Sequence, residues 1–232
     1  MNTNNKAARI AGFVYLLYLI VAISSDVLRG SFVVLGDAAA TAGKITAHEG
    51  LFTLTAVGDL VATALFFLAA WALYVLLKPV NKNLAILLML FNLAGVAIQC
   101  SSDVLLFAWQ LLLSGADYLN VFQADQLQAL AMFFLDLREE GFLIAQLFYA
   151  AWLFPLGYLV FKSGFLPRIL GVVLMIHCFT WLSTFFQSFL CPGFTAITYV
   201  SWPLGFVAEV GLTLWLLIMG AKDQKPAVAE VG

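Results

Sequence analysis

The chain has 232 residues, of which 63% are hydrophobic and only 10% charged, with a mean hydropathy of +1.00 and a formal charge of −2. Soluble domains carry about 25% charged residues, so this chain lacks the polar surface to face water all round. There is no basic stripe to suit nucleic acid, and the apolar runs lack the alternation of a membrane β-barrel.

Apolar stretches long enough to cross ~30 Å of hydrocarbon recur along the sequence. They predict an all-α membrane protein, a six-transmembrane-helix bundle formed by one domain over residues 1–220. The expected spans are 8–28, 47–77, 84–113, 138–161, 169–190 and 200–219, followed by a polar tail at 221–232. The first span follows Lys6 and Arg9 as a signal peptide would, but it lacks a small-residue cleavage site and reads as a retained helix. Its Tyr15, Tyr18, Ser25 and Arg29 recur at helical spacing and give it one polar face. The Gly-, Ala- and Thr-rich stretch 30–46 reads as an ordered loop or re-entrant turn.

In the second span His48, Phe52, Thr55, Asp59 and Thr63 share a side. Asp59 stands eight residues beyond the first apolar residue, Leu51, or ~12 Å along a helix, close to mid-membrane. The third span places Asn92, Gln99 and Asp103 on one face. Residues 122–135 carry an apolar stripe in an acidic setting and suit an interfacial amphipathic helix. The fourth span opens on Arg138, Glu139 and Glu140, and Gln146 follows Glu139 by seven. The fifth carries His177, Thr180, Trp181, Thr184 and Ser188 as a polar stripe. The sixth repeats Ser201, Gly205, Glu209 and Thr213 at four-residue intervals.

Basic residues set the expected orientation. With the N-terminus inside, Lys6, Arg9, Lys78, Lys82, Lys162, Arg168, Lys222 and Lys225 fall on the cytoplasmic side, against Arg29, Lys44 and Arg138 outside. That is a positive-inside bias with both termini cytoplasmic, and it places the chain in a cytoplasmic (inner) membrane.

Three acids, Asp59, Asp103 and Glu209, thus fall within hydrophobic spans at an expected depth of ~12–15 Å. An ionised side chain at mid-bilayer costs at least ~2.5–3.5 kcal/mol, so these acids are expected to point into the bundle. The expected cavity is lined by Asp59, Asp103, His177, Glu209, Asn92, Gln99, Gln146 and Thr55, under a rim of Arg29, Glu49, Arg138, Glu139 and Glu140. The competing reading makes the same polar groups hydrogen-bonding glue between helices. His177 on its own is more often a satisfied core histidine.

His48, Glu49 and Glu139 lack the spacing of a metal motif, and no metal is expected. No P-loop, nucleophile elbow or dinucleotide fingerprint is present. Neither a cofactor nor catalytic residues can be named. Cys100, Cys178 and Cys191 lack CxxC spacing, and the first two read as small packing residues. The expected partners are membrane lipids and a small-molecule, lipid or ion ligand, with no nucleic acid.

Three functions follow, in order of preference. The first is binding or moving a small ligand through the acid-lined cavity. The second is an accessory or assembly role, and the third is intramembrane chemistry on a lipid-like substrate by His177 and a carboxylate.

The segments ARIAGFVYLLYLI (8–20), GDAAATAGKITAHEGLF (36–52), ALYVLLKPVNKNLAIL (72–87) and GYLVFKSGFLPRILGVVL (157–174) carry a resemblance that covers most of the chain. Through them the sequence resembles the bacterial membrane family known as domain of unknown function 4386. The resemblance implies a six-helix membrane fold and a membrane location, with no activity or site residues attached. The SGFLPR turn also has a physical reading: Gly164 suits a helix C-cap, Pro167 suits a helix start, and Lys162 and Arg168 anchor it to anionic headgroups.

Overall fold

The structure, a computed structural model, describes residues 3–221, and these are helical with no strand. The helices are α1 (Thr3–Gly30), α2 (Ala38–Ala47), α3 (Glu49–Leu77), α4 (Lys82–Leu112), α5 (Ala124–Lys162), α6 (Arg168–Leu190) and α7 (Ala196–Met219). A single 3₁₀ turn, Asp117–Leu119, lies between α4 and α5. All but α2 are long and apolar enough to cross a membrane, which gives the expected all-α membrane class with six such helices. The tail at 222–232, with Lys222 and Lys225, lies outside the described residues.

Two local readings differ from the structure. The stretch 30–46 contains α2, capped where Asp37 Oδ1 accepts the Ala40 amide at 2.8 Å. The segments 122–135 and 138–161 join in the single 39-residue helix α5. The reason is local: nothing between them breaks a helix, since Asp136, Leu137 and Arg138 all continue a helical register. At ~58 Å by rise per residue, α5 is nearly twice as long as a hydrocarbon slab is thick. Pro155 lies within this helix without ending it, as membrane helices tolerate.

The chain forms two compact units. One comprises Leu17–Phe67 and Leu93–Phe148. Its core packs Phe32, Ala42, Ile45, Phe52, Ala56, Leu106, Trp109, Ala131 and Leu135. Here α2 earns its place by burying Thr41, Ala42 and Ile45, so a short helix with little intrinsic stability is held by packing.

The other unit comprises Met1–Leu16, Leu68–Asn92 and Tyr149–Gly232. Its α5–α6 turn follows the capping logic of the sequence. Gly164 takes φ +71°, which only glycine adopts freely. Ser163 Oγ accepts the Leu166 amide at 3.1 Å, and Pro167 sits at the N-cap of α6.

Helices α5 and α6 meet at a glycine pair. A Cβ on Gly171 would lie 2.6 Å from the Gly157 carbonyl oxygen and from the Phe161 nitrogen. Close backbone approach through small residues is how helices associate where lipid removes the hydrophobic drive. Gly171→Leu is therefore expected to destabilise the detergent-solubilised protein by about 3 kcal/mol, the upper end of overpacking. The control is Gly43→Leu in α2, whose Cβ meets nothing within 4 Å. Equal melting temperatures for the two variants would rule out the close contact.

Candidate functional site

In the unit built from Leu17–Phe67 and Leu93–Phe148, Asp59 and Asp103 come together with the two arginines assigned to the rim. Arg29 and Arg138 are buried rather than open to solvent: they are 5% and 3% exposed, and Asp59 and Asp103 are 7% and 0%. Asp59 Oδ2 accepts from both guanidiniums, from Nη1 of Arg29 and from Nη2 of Arg138, the latter at 3.1 Å. Arg138 Nε donates to Asp103 Oδ1 at 3.2 Å. Gln99, one turn before Asp103 on α4, donates to the same oxygen at 2.8 Å.

Two carboxylates nearer water complete the network. Arg29 Nη2 reaches Asp26 Oδ1 at 2.6 Å, and Arg138 Nη1 reaches Glu139 Oε1 at 2.8 Å. These acids are 70% and 57% exposed at the side chain. The buried core of the site, two guanidiniums and two aspartates, is formally neutral, so no net charge is buried there, while each ion still bears a desolvation cost that its partners offset. With Asp26 and Glu139 included, carboxylates outnumber guanidiniums four to two.

The packing that holds the site is tight. A Cβ on Gly58 would strike the Ser25 hydroxyl, and one on Gly141 would strike the Ser102 hydroxyl. Those glycines flank Asp59 and Arg138 in sequence, so the helices close on each other beside the ion pairs. Arg138 also stacks over the Phe142 ring, 5.3 Å from its centroid, a cation–π contact one turn along α5.

Two buried acceptors in the site have no hydrogen-bond partner among the described residues. They are Asp103 Oδ2 and Gln99 Oε1. Buried polar atoms are ordinarily satisfied, so these two mark the place where a donor would be accepted.

The remaining expected residues scatter in role. Thr55 spends its hydroxyl on the Phe52 carbonyl at 2.7 Å within its own helix. Glu49 and Glu140 are exposed, and Gln146 is half-buried on α5. Asn92 is fully buried, with both amide atoms unpartnered among the described residues. Among those residues no three His, Cys, Asp or Glu side chains are grouped to hold a metal ion.

His177 and Glu209 lie in the other unit. His177 Nε2 is 3.6 Å from Glu209 Oε1, and Tyr15 donates its hydroxyl to Glu209 Oε2 at 2.5 Å. Glu209 occupies a π turn, Phe206–Val210, within α7. Tyr15 was legible only as part of a polar face on α1; its partnership with Glu209, 194 positions away, has no local signal. An open groove of about 480 Å³ runs along α6 and α7 in this unit, lined by Ile176, Phe179, Thr180, Ser183, Ile197 and Val200 among others.

Comparison with known proteins places these features in a family. A family model described as "Domain of unknown function (DUF4386)" matches residues 10–220. A protein of Archaeoglobus fulgidus named "Uncharacterized protein" is 28% identical over 153 residues, which cover 66% of this chain and 75% of that protein. No solved structure matches. With the family model covering nearly the whole chain, this protein belongs to the DUF4386 family.

Proposed function

We propose that the protein binds, and on binding moves, a small cation or cationic headgroup at the Arg29–Asp59–Arg138–Asp103 site, acting by recognition rather than by covalent chemistry. The observation that carries this reading is the pair of buried acceptors, Asp103 Oδ2 and Gln99 Oε1, beside a network with more carboxylates than guanidiniums. An acceptor pair asks for a donor or a cation, and the excess negative charge selects a positive one. An anionic ligand would instead have to compete with the carboxylates that every guanidinium hydrogen bond of the site already goes to.

The proposed orientation supports access from outside. With both termini cytoplasmic, the inner ends of α3 and α4 meet at the basic turn 78–82. Measured from there at 1.5 Å per residue, Asp59 stands ~27 Å up α3 and Asp103 ~32 Å up α4. That sets the site at the outer edge of a ~30 Å slab, shallower than the mid-membrane depth counted from Leu51. Asp26 and Glu139, both largely exposed, then face the outer interface as its entrance. The proposed location is the inner membrane of a bacterial cell.

Two measurements test this reading. Sodium, potassium, ammonium and choline chlorides, titrated against N-methylglucamine chloride at constant ionic strength, should give at least one saturable rise in melting temperature. The rise corresponds to about 2.7 kcal/mol at a hundredfold excess over Kd and is expected to vanish in Asp103→Asn. If none of the four produces a saturable shift, or the shift survives Asp103→Asn, the cation site is refuted. For orientation, single cysteines are placed at Lys78 and Val121 of a cysteine-free variant in intact cells. A membrane-impermeant maleimide should label Val121→Cys directly and Lys78→Cys only after permeabilisation. The reverse pattern would invert the topology.

A further inference from the structure

His177 lies between Thr180 and Glu209. Thr180 Oγ1 donates to the His177 carbonyl at 3.0 Å and stands 3.4 Å from both His177 Nδ1 and Ser201 Oγ. On the other side of the ring, His177 Nε2 lies 3.6 Å from Glu209 Oε1. The other oxygen of that carboxylate already accepts from Tyr15. The imidazole nitrogen and the carboxylate thus stand close enough to share a proton, directly or through a water.

The surrounding backbone is shaped for this contact. His177 packs flat against Gly205, where a Cβ would lie 2.6 Å from its Cε1 and Nε2. One turn further, the π turn Phe206–Val210 presents Glu209; such single-turn insertions recur at functional sites. Trp181 covers the imidazole with ring centroids 5.1 Å apart. His177 is 4% exposed and Tyr15 fully buried, while the Glu209 side chain keeps 13% exposure.

We infer that His177 and Glu209 form a proton-binding site within the membrane-spanning helices, oriented by Tyr15 and Thr180. In the unloaded state a neutral imidazole faces a carboxylate, for a net charge of −1. Uptake of one proton from water makes an imidazolium–carboxylate pair of net charge zero, or the equivalent neutral pair, and release reverses it. No bond other than N–H or O–H changes. The titratable groups that the described contacts bring to it are Tyr15 from α1, His177 from α6 and Glu209 from α7. Cys178, next to His177 on α6, is also buried. Among the described residues Glu209 alone lies within ion-pair distance of His177.

The chain has two histidines, so His48→Asn leaves His177 as the sole imidazole for ¹⁵N nuclear magnetic resonance in lipid nanodiscs. The inference expects ring protonation and the Glu209 carboxyl infrared band to change in one common pH step. Glu209→Gln should abolish the band and displace the ring's step. Gly205→Ala, which removes no titratable group but pushes on the ring, should uncouple the two signals, and Tyr15→Phe should displace the common step while leaving the fold intact. A ring step unmoved by all three substitutions would overturn the inference.

Discussion

Charge buried away from water is tolerated only when it is cancelled at close range, and that constraint shapes the unit around Asp59. An uncompensated buried ion carries a penalty of several kcal/mol, and removing one partner of a buried pair typically costs 3–5 kcal/mol. Asp59 meets the demand by accepting from two guanidiniums on one oxygen. Each arginine then reaches outward to a second carboxylate at the water side. The four buried groups come from α1, α3, α4 and α5, so no helix can shift without opening an ion pair. The glycines at 58 and 141, pressed against Ser25 and Ser102, allow the helix backbones to come close enough for side chains of fixed length to meet.

The unit containing His177 solves the same problem with far fewer charges. Its helices meet at Gly157 and Gly171, and at Gly12, where a Cβ would lie 2.6 Å from the Leu217 nitrogen. Dispersion contacts and weak polar links dominate such interfaces. Against that background the Tyr15–Glu209–His177 cluster stands out because it sets an acid and an imidazole among apolar helices. Tyr15 donates to one carboxylate oxygen of Glu209, and His177 Nε2 lies 3.6 Å from the other.

Much of this was legible because helical spacing is a local property. Gln99 and Asp103, four apart, were placed on one face by sequence and do hydrogen-bond. Gly164 read correctly as a helix terminator because a positive φ has few other tenants. Arg29 and Arg138 read as rim groups because each stands at the end of an apolar run. What periodicity does not encode is their burial, with carboxylates 30 and 35 or more positions away as partners. The same limit hid the partner of Tyr15. The continuity of α5 was missed for a different reason: a change from acidic to apolar composition imitates an element boundary, although no residue there breaks a helix.

The two polar clusters also differ in what a small ligand would have to do. At the arginine–aspartate site the strong electrostatic demands are met before any ligand arrives, so a cation gains only from the orphaned acceptors and from the excess of carboxylates. Its binding should therefore be modest and selective for size and donor geometry rather than for charge alone. At the His177–Glu209 pair the proposed occupant is a single proton, shared between an imidazole and a carboxylate 3.6 Å apart. A satisfied network with spare acceptors suits reversible occupancy by a cation, whereas an imidazole–carboxylate pair suits the uptake of a proton. The chemistry of each cluster thus follows from which of its hydrogen bonds are already made.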